Sequence, residues 1–219
     1  MRIGLQLYTV RDTLAADFEG TMRAIADLGY AGVELFGDTE ASAVDGLEVI
    51  GRHINLDADV DAIDCERATL AWIDPIETTA DRDAAVEQIV TLGERVRAAG
   101  HRFGFHNHWS EVPPLEDGLS LLDRLPEWID LELDLGWIWF AGGDPLELLE
   151  RWRGRTPLVH AKDIRGRTTP EFCAVGDGGV GYAELVPRVA ALGVEWLIAE
   201  QDEGATAATL ERSYEVLAT

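Results

Sequence analysis

Short apolar runs and segments of helical periodicity take turns along the whole chain. RIGLQL (2–7) reads as a short buried strand, followed by a polar loop containing Tyr8 and Arg11. From Phe18 to Leu28 apolar residues fall at helical spacing, and Gly29 supplies the stop. AGVELF (31–36) is a second strand, with Glu34 inside it as either a polar group facing a site or a paired structural carboxylate. Residues 37–46 leave room for at most two helical turns, and GLEVIGRHI (46–54) is a third strand that places His53 at its end. An abbreviated helix over 57–67 leads to a fourth strand, TLAWIDP (69–75), broken by Pro75.

A strong helix runs from Asp81 to Ala99 and stops at Gly100. The fifth strand, FGF (103–105), runs into His106, and a helix follows over 114–125. IDLELDLGW (129–137) is the sixth strand, its chemistry ending at Asp134, and the next helix (144–152) has Asp144 as N-cap and proline at its first position. The seventh strand is TPLVHAKDI (156–164), followed by a glycine-rich loop (175–182) and a helix over 183–192. The eighth strand is VEWLIAEQD (194–202), and the last helix covers 205–218.

Eight strand–helix alternations predict a parallel sheet with helical crossovers. The expected fold is an α/β, (β/α)8 TIM barrel: one domain over 1–219, compact at about 27 residues per unit, with shortened second and third helices and a thin wall on that side.

The chain has 219 residues, 47% of them hydrophobic, enough to bury a sizeable core. The first residues meet charge at once, so no signal peptide is expected, and no apolar run reaches the roughly 18–20 residues of a membrane span. A cytoplasmic protein without membrane partners is the expectation. Cys65 and Cys173 lie far apart in no metal-like spacing and read as free thiols. A formal net charge of −23 repels phosphate backbones and argues against nucleic acid as a partner. The acids are spread over helix faces, as in a surface solvated in a salt-rich cytoplasm. Lys162 is the only lysine; every other basic side chain is arginine, which argues for a role that arginine does not fill.

The chemistry centres on FGFHNHWSE (103–111). Side chains alternate along a strand, so His106 and His108 share one face and Asn107 takes the other, with Glu111 close behind. In a barrel the C-terminal strand ends converge on one mouth. Those ends carry His53, His106, His108, Asp134, His160 and Glu200, which takes in four of the five histidines and leaves out His101. Mixed imidazole and carboxylate donors suit Mn, Co, Zn or Fe.

On GLQLYTVRD, FHNHWSEV, LDLGWIWFAGGDP, LVHAKD, VGDGGVGYAEL and EWLIAEQD, in this order, the chain resembles the sugar phosphate isomerase/epimerase family, the xylose-isomerase-like TIM barrels. The resemblance implies a metal-dependent isomerase, epimerase, dehydratase or lyase. It would act through an enediolate, at the carbon next to a carbonyl of a sugar, keto-sugar or inositol derivative. It also implies one divalent ion (Mn, Co, Zn or Mg), held in the family by Glu, Asp, His and Glu from strands five to eight. The last three carry over to Asp134, His160 and Glu200. Where related chains read ENH this one reads HNH, so His106, His108 or Glu111 supplies the fifth-strand ligand.

His106, Glu111, Lys162 and Glu200 are the implied catalytic groups, and Tyr8, Arg11, His53, His108 and Trp137 the implied substrate contacts. Trp109, Trp137, Trp139 and Tyr8 are candidates for an apolar floor under a sugar. The expected partner is a small carbohydrate, with oligomerisation left open. A non-catalytic sugar-binding barrel is the alternative reading, and an abasic-site endonuclease is disfavoured by the charge.

Overall fold

The computed structural model describes residues 1–41 and 46–219. Nine strands form one sheet: β1 (Arg2–Gln6), β2 (Gly32–Leu35), β3 (Glu48–Ile54), β4 (Arg67–Leu70), β5 (Arg102–His106), β6 (Asp130–Asp134), β7 (Leu158–Arg165), β8 (Glu171–Cys173) and β9 (Trp196–Glu200). The order β6-β5-β4-β3-β2-β1-β9-β7 closes on itself through a β6–β7 pairing. The pairings around this ring are all parallel, so eight strands make the expected closed barrel. Only β8 is antiparallel, an unanticipated hairpin on the protruding end of β7 (Asp163 opposite Cys173).

The helices are α1 (Arg11–Ala16), α2 (Phe18–Asp27), α3 (Thr79–Ala98), α4 (Leu121–Arg124), α5 (Leu135–Phe140), α6 (Pro145–Arg151), α7 (Tyr182–Ala191) and α8 (Ala207–Leu217). Where the sequence carries cap chemistry the expected bounds hold closely. Thr78 and Asp81 form a reciprocal capping box on α3, and Asp144 accepts from the first turn of α6. None of the helices is long and apolar enough to cross a membrane among the described residues.

Three expected elements differ. The helix over 114–125 shrinks to α4, because Gly118 at φ 79 turns the chain between Leu115 and Leu119 and Ser120 caps the helix only afterwards. The abbreviated helix over 57–67 is a single 3-10 turn, Val60–Ala62. The sixth strand ends at Asp134, whose carboxylate caps α5; the apolar run LGWIWF hides that helix from periodicity. Part of the stretch 37–46 lies outside the described residues, and the described residues between β2 and β3 form no α-helix. The barrel wall is therefore thin beside β2 and β3.

Two layers fill the barrel. At the N-terminal end Ile50, Leu158, Trp196 and Ile198 form a cluster apart from the main core. The Trp196 ring fits because β1 and β2 present glycines there. A Cβ on Gly32 would lie 2.8 Å from Trp196 Cη2, and one on Gly4 would lie 2.2 Å from Ile50 Cδ1. Two residues further along β7 and β9 the same inward face turns polar, and this layer is the site.

Candidate active site

Side-chain alternation puts His160 and Lys162 on one inward face of β7. Strand register then sets Asp134 opposite His160, Glu200 opposite Lys162, and Glu132 opposite His106. His106, Asp134, His160 and Glu200, all buried, each offer one donor atom, and the four atoms lie within 4.8 Å of one another. His160 Nδ1 is 2.7 Å from Glu200 Oε2, and His106 Nε2 is 3.8 Å from Asp134 Oδ2. A second set lies deeper and shares both histidines: His53, His106, Glu132 and His160.

The deeper set is hydrogen-bonded in detail. His160 Nε2 lies 2.7 Å from Glu34 Oε2 and 3.1 Å from Glu132 Oε1. His53 Nε2 lies 2.7 Å from Glu132 Oε1. Gln6 Nε2 donates to Glu34 at 2.7 Å and Thr69 Oγ1 to Glu132 at 3.0 Å. Burial alone would make both histidines less basic. Glu34 and Glu132 outweigh it, raising His53 to about 10 and His160 well above its ordinary value. His106 is driven down to about 3, by burial and then by the His160 charge. Burial, with Glu200 adding to it and Lys162 opposing, raises Asp134 to about 6.

Three buried polar atoms here make no hydrogen bond among the described residues: Glu34 Oε1, His106 Nδ1, which lies 3.2 Å from Glu132 Oε1, and Asp134 Oδ2. Unmatched polar atoms in a closed interior carry a desolvation cost that a coordinated cation removes. Of the three, Asp134 Oδ2 belongs to the upper set, where two imidazoles and two carboxylates make a donor set whose chemistry fits a divalent ion.

Lys162, 1% exposed, is enclosed by Asp202 (2.9 Å), Glu200 (3.1 Å) and Asp134 (3.3 Å), with the Trp137 ring 5.2 Å away. Burial opposes its charge, but Asp202, Glu200 and Asp134 hold the ammonium protonated well above its ordinary range.

His108 stands outside both donor sets, in a box of rings. Trp72 is 4.7 Å away, His106 5.0 Å and Trp137 5.7 Å, centroid to centroid. Its ring nitrogens make no hydrogen bond among the described residues, and burial followed by the His106 charge holds it well below its ordinary value. Glu111 is turned onto its own loop, accepting from the His108 backbone N–H and from Ser110 Oγ, and reaches neither donor set. Asn107, on the opposite face, stitches β5 to β6 by accepting from Asp134 N at 3.1 Å.

His53, His106, His108, Trp137, Lys162 and Glu200 line one cavity of about 690 Å³, and Tyr8 and Trp72 share its wall. Arg11 does not line it: its guanidinium donates to Tyr8 O at 2.8 Å and lies over the Tyr8 ring. Trp139 packs outside the mouth, under Arg167 and against the glycine-rich loop. Asp163 anchors that loop by accepting from the backbone N–H groups of Gly176, Gly178 and Val180.

Glu132 and Asp202 were not singled out from sequence. For Glu132 the available signal is alternation, two residues before Asp134 on β6; Asp202 lies just past the end of β9, where sequence shows only loop polarity.

A model of the xylose isomerase-like TIM barrel matches residues 47–218. Among curated proteins, the rhizopine catabolism protein MocC of Rhizobium meliloti is 29% identical over 139 residues, covering 55% of this chain and 43% of that protein. The inosose dehydratase of Lacticaseibacillus casei is 23% identical over 133 residues, 51% and 44% of the two chains. The chain thus spans less than half the length of these curated relatives. Among solved structures, a sugar phosphate isomerase/epimerase from Parabacteroides distasonis superposes with a TM-score of 0.82 at 21% identity, over 99% of this chain and 94% of that one. A Mycobacterium smegmatis protein of the same barrel type, in complex with magnesium, gives 0.66 at 13% identity, over 92% and 87%.

Proposed function

The chain belongs to the xylose isomerase-like TIM-barrel family, and from that premise we propose that it is a metal-dependent enzyme acting next to the carbonyl of a keto-sugar or inositol derivative. The observation that carries this is the convergence of His106, Asp134, His160 and Glu200, of which His106 and Glu200 line the cavity together with Lys162 and His108. A divalent ion held there supplies Lewis-acid stabilisation of charge developing on substrate oxygen. The two imidazoles favour Mn, Co or Zn over Mg. His106 takes the fifth-strand place, because Glu111 is committed to its loop and His108 belongs to neither donor set.

The substrate-facing roles follow from reach. His108, with no carboxylate partner, takes the proton from the carbon beside the carbonyl. Lys162 presents fixed positive charge to the enediolate oxygen as the C–H electron pair moves onto the carbonyl. Trp137 Nε1–H, buried and without an acceptor among the described residues, is placed to donate to a substrate oxygen. Glu111 positions His108 through its backbone. The names of the curated relatives favour elimination as the outcome: the enediolate reforms the carbonyl, its C=C electron pair becomes the new double bond between the α- and β-carbons as the bond to the β-oxygen breaks, and the proton taken up by His108 lets that group leave as water.

The test is metal content of the purified protein, followed by α-proton exchange from an inosose in heavy water, read by NMR. We expect about one ion per chain and exchange that chelation abolishes. Failure to retain any divalent ion, or metal without exchange, overturns the reading.

A further inference from the structure

The cavity extends well past the metal-ligand candidates. From the mouth it continues as a trough over the thin part of the wall, along residues 36–40 and 54–64, where the described connections carry no α-helix. Among the described residues the connections after β2 and β3 carry only loop and 3-10 turn, and the cavity borders Ile54, Ala58 and Ala62 there.

The trough is flanked by exposed aromatic rings. Phe36 is 37% exposed and Trp72 45% exposed, two of the four large hydrophobic side chains left open to solvent among the described residues, and both line this cavity. Each ring is held from behind. Tyr8 meets Phe36 edge-on at 4.9 Å, and His108 and Trp109 meet Trp72 at 4.7 and 6.0 Å. Supported apolar faces left in water on a concave surface mark a ligand groove, and flat rings suit the carbon face of a sugar or another ring.

The charges there exclude an anion. Lys162 is enclosed by three carboxylates. The Arg52 guanidinium is spent on Asp64 and on the carbonyls of Gly37 and Thr39. Asp38, Asp57 and Asp59 add negative charge to the rim. A phosphate would meet carboxylates with no guanidinium or ammonium left to pair with it.

We propose that this trough is a second subsite, taking an uncharged ring attached to the reacting sugar, so that the substrate is a neutral two-ring compound and not a sugar phosphate. The inference rests on the metal-site reading for where the reacting ring sits. The second ring is either a further sugar or an aromatic group, since both present an apolar face to Phe36 and Trp72.

The test is equilibrium binding to the metal-loaded protein, by calorimetry, of glucose, phenyl β-glucoside, cellobiose and glucose 6-phosphate. At least one of the two-ring probes should bind roughly tenfold tighter than glucose or better, and the phosphate roughly tenfold weaker. Phenyl β-glucoside and cellobiose separate an aromatic from a sugar second ring. Trp72→Ala, and independently Ala62→Trp, which fills an exposed point of the trough, should each remove the two-ring advantage. Equal binding of glucose and both two-ring probes, an advantage that survives both variants, or tighter binding of the phosphate overturns the proposal. Loss of α-proton exchange with every ring ketone, alongside an intact two-ring advantage, would overturn the proposed reaction and leave the subsite standing.

Discussion

His160 crosses the barrel from β7 to set Nε2 2.7 Å from Glu34 Oε2 on β2, a strand that is not its neighbour. This contact leaves Nδ1 directed at Glu200 and would fix which ring nitrogen meets an ion held there. Glu34→Gln should therefore weaken divalent-ion affinity by about 10- to 100-fold while the barrel stays folded. Metal titration against a fluorescent chelator, with circular dichroism as the control, measures it.

His106 and His108 lie ring to ring at 5.0 Å, and under the proposed reaction they would serve different ends. His106→Ala should lower metal retention. His108→Ala should keep the ion and slow α-proton exchange by roughly 100-fold or more, within the range of a lost general base. Metal analysis and exchange NMR on the two variants separate them, and equal metal loss in both would contradict the division.

Lys162→Arg should keep the fold and cut turnover more than tenfold, because a planar fork does not occupy a space shaped by three carboxylates around one ammonium. Lys162→Met leaves those carboxylates buried without their counter-charge. It should cost about 3–5 kcal/mol in the metal-free protein, read from urea unfolding.

His53 makes stability fall with pH. Its folded pKa of about 10 lies above the ordinary 6.5, so its contribution is full below pH 6.5 and is lost as pH rises through 10. The metal-free protein should unfold at lower urea at pH 10 than at pH 7. The drop should shrink in His53→Gln, which titrates nothing at that position.

Asp163 holds the glycine-rich loop through backbone N–H groups, and a Cβ on Gly178 would come 2.1 Å from its Oδ1. Asp163→Asn should lower stability by roughly 2–3 kcal/mol. Because Gly179 packs against the Trp139 ring, loosening of the loop should also red-shift the tryptophan emission.

Much of this was legible in the chain because local chemistry and tertiary packing agree. Asp144 and Gly100 mark element ends that the fold uses, and the parallel ring follows from the alternation alone. The polar strand ends His106, Asp134, His160 and Glu200 do converge on one mouth. What stayed hidden was tertiary. Asp202 reads as loop polarity until Lys162 is placed beside it, and Glu132 reads as alternation until His53 reaches it from three strands away. Glu111 looked like site chemistry because nothing in the spacing shows a carboxylate bending back onto its own loop. Arg11 looked available until its guanidinium closed on Tyr8.

The glycine-for-tryptophan exchange at Gly32 and Trp196 also bears on traffic through the barrel. That ring fills the N-terminal end on the β1–β2 side, and the small cavity on the β4–β7 side holds about 10 Å³, room for a single water. A molecule that enters the large cavity at the mouth would therefore leave by the same mouth. Under the proposed reaction substrate and product would share one door, and a large leaving group would have to back out before the next molecule reached His108.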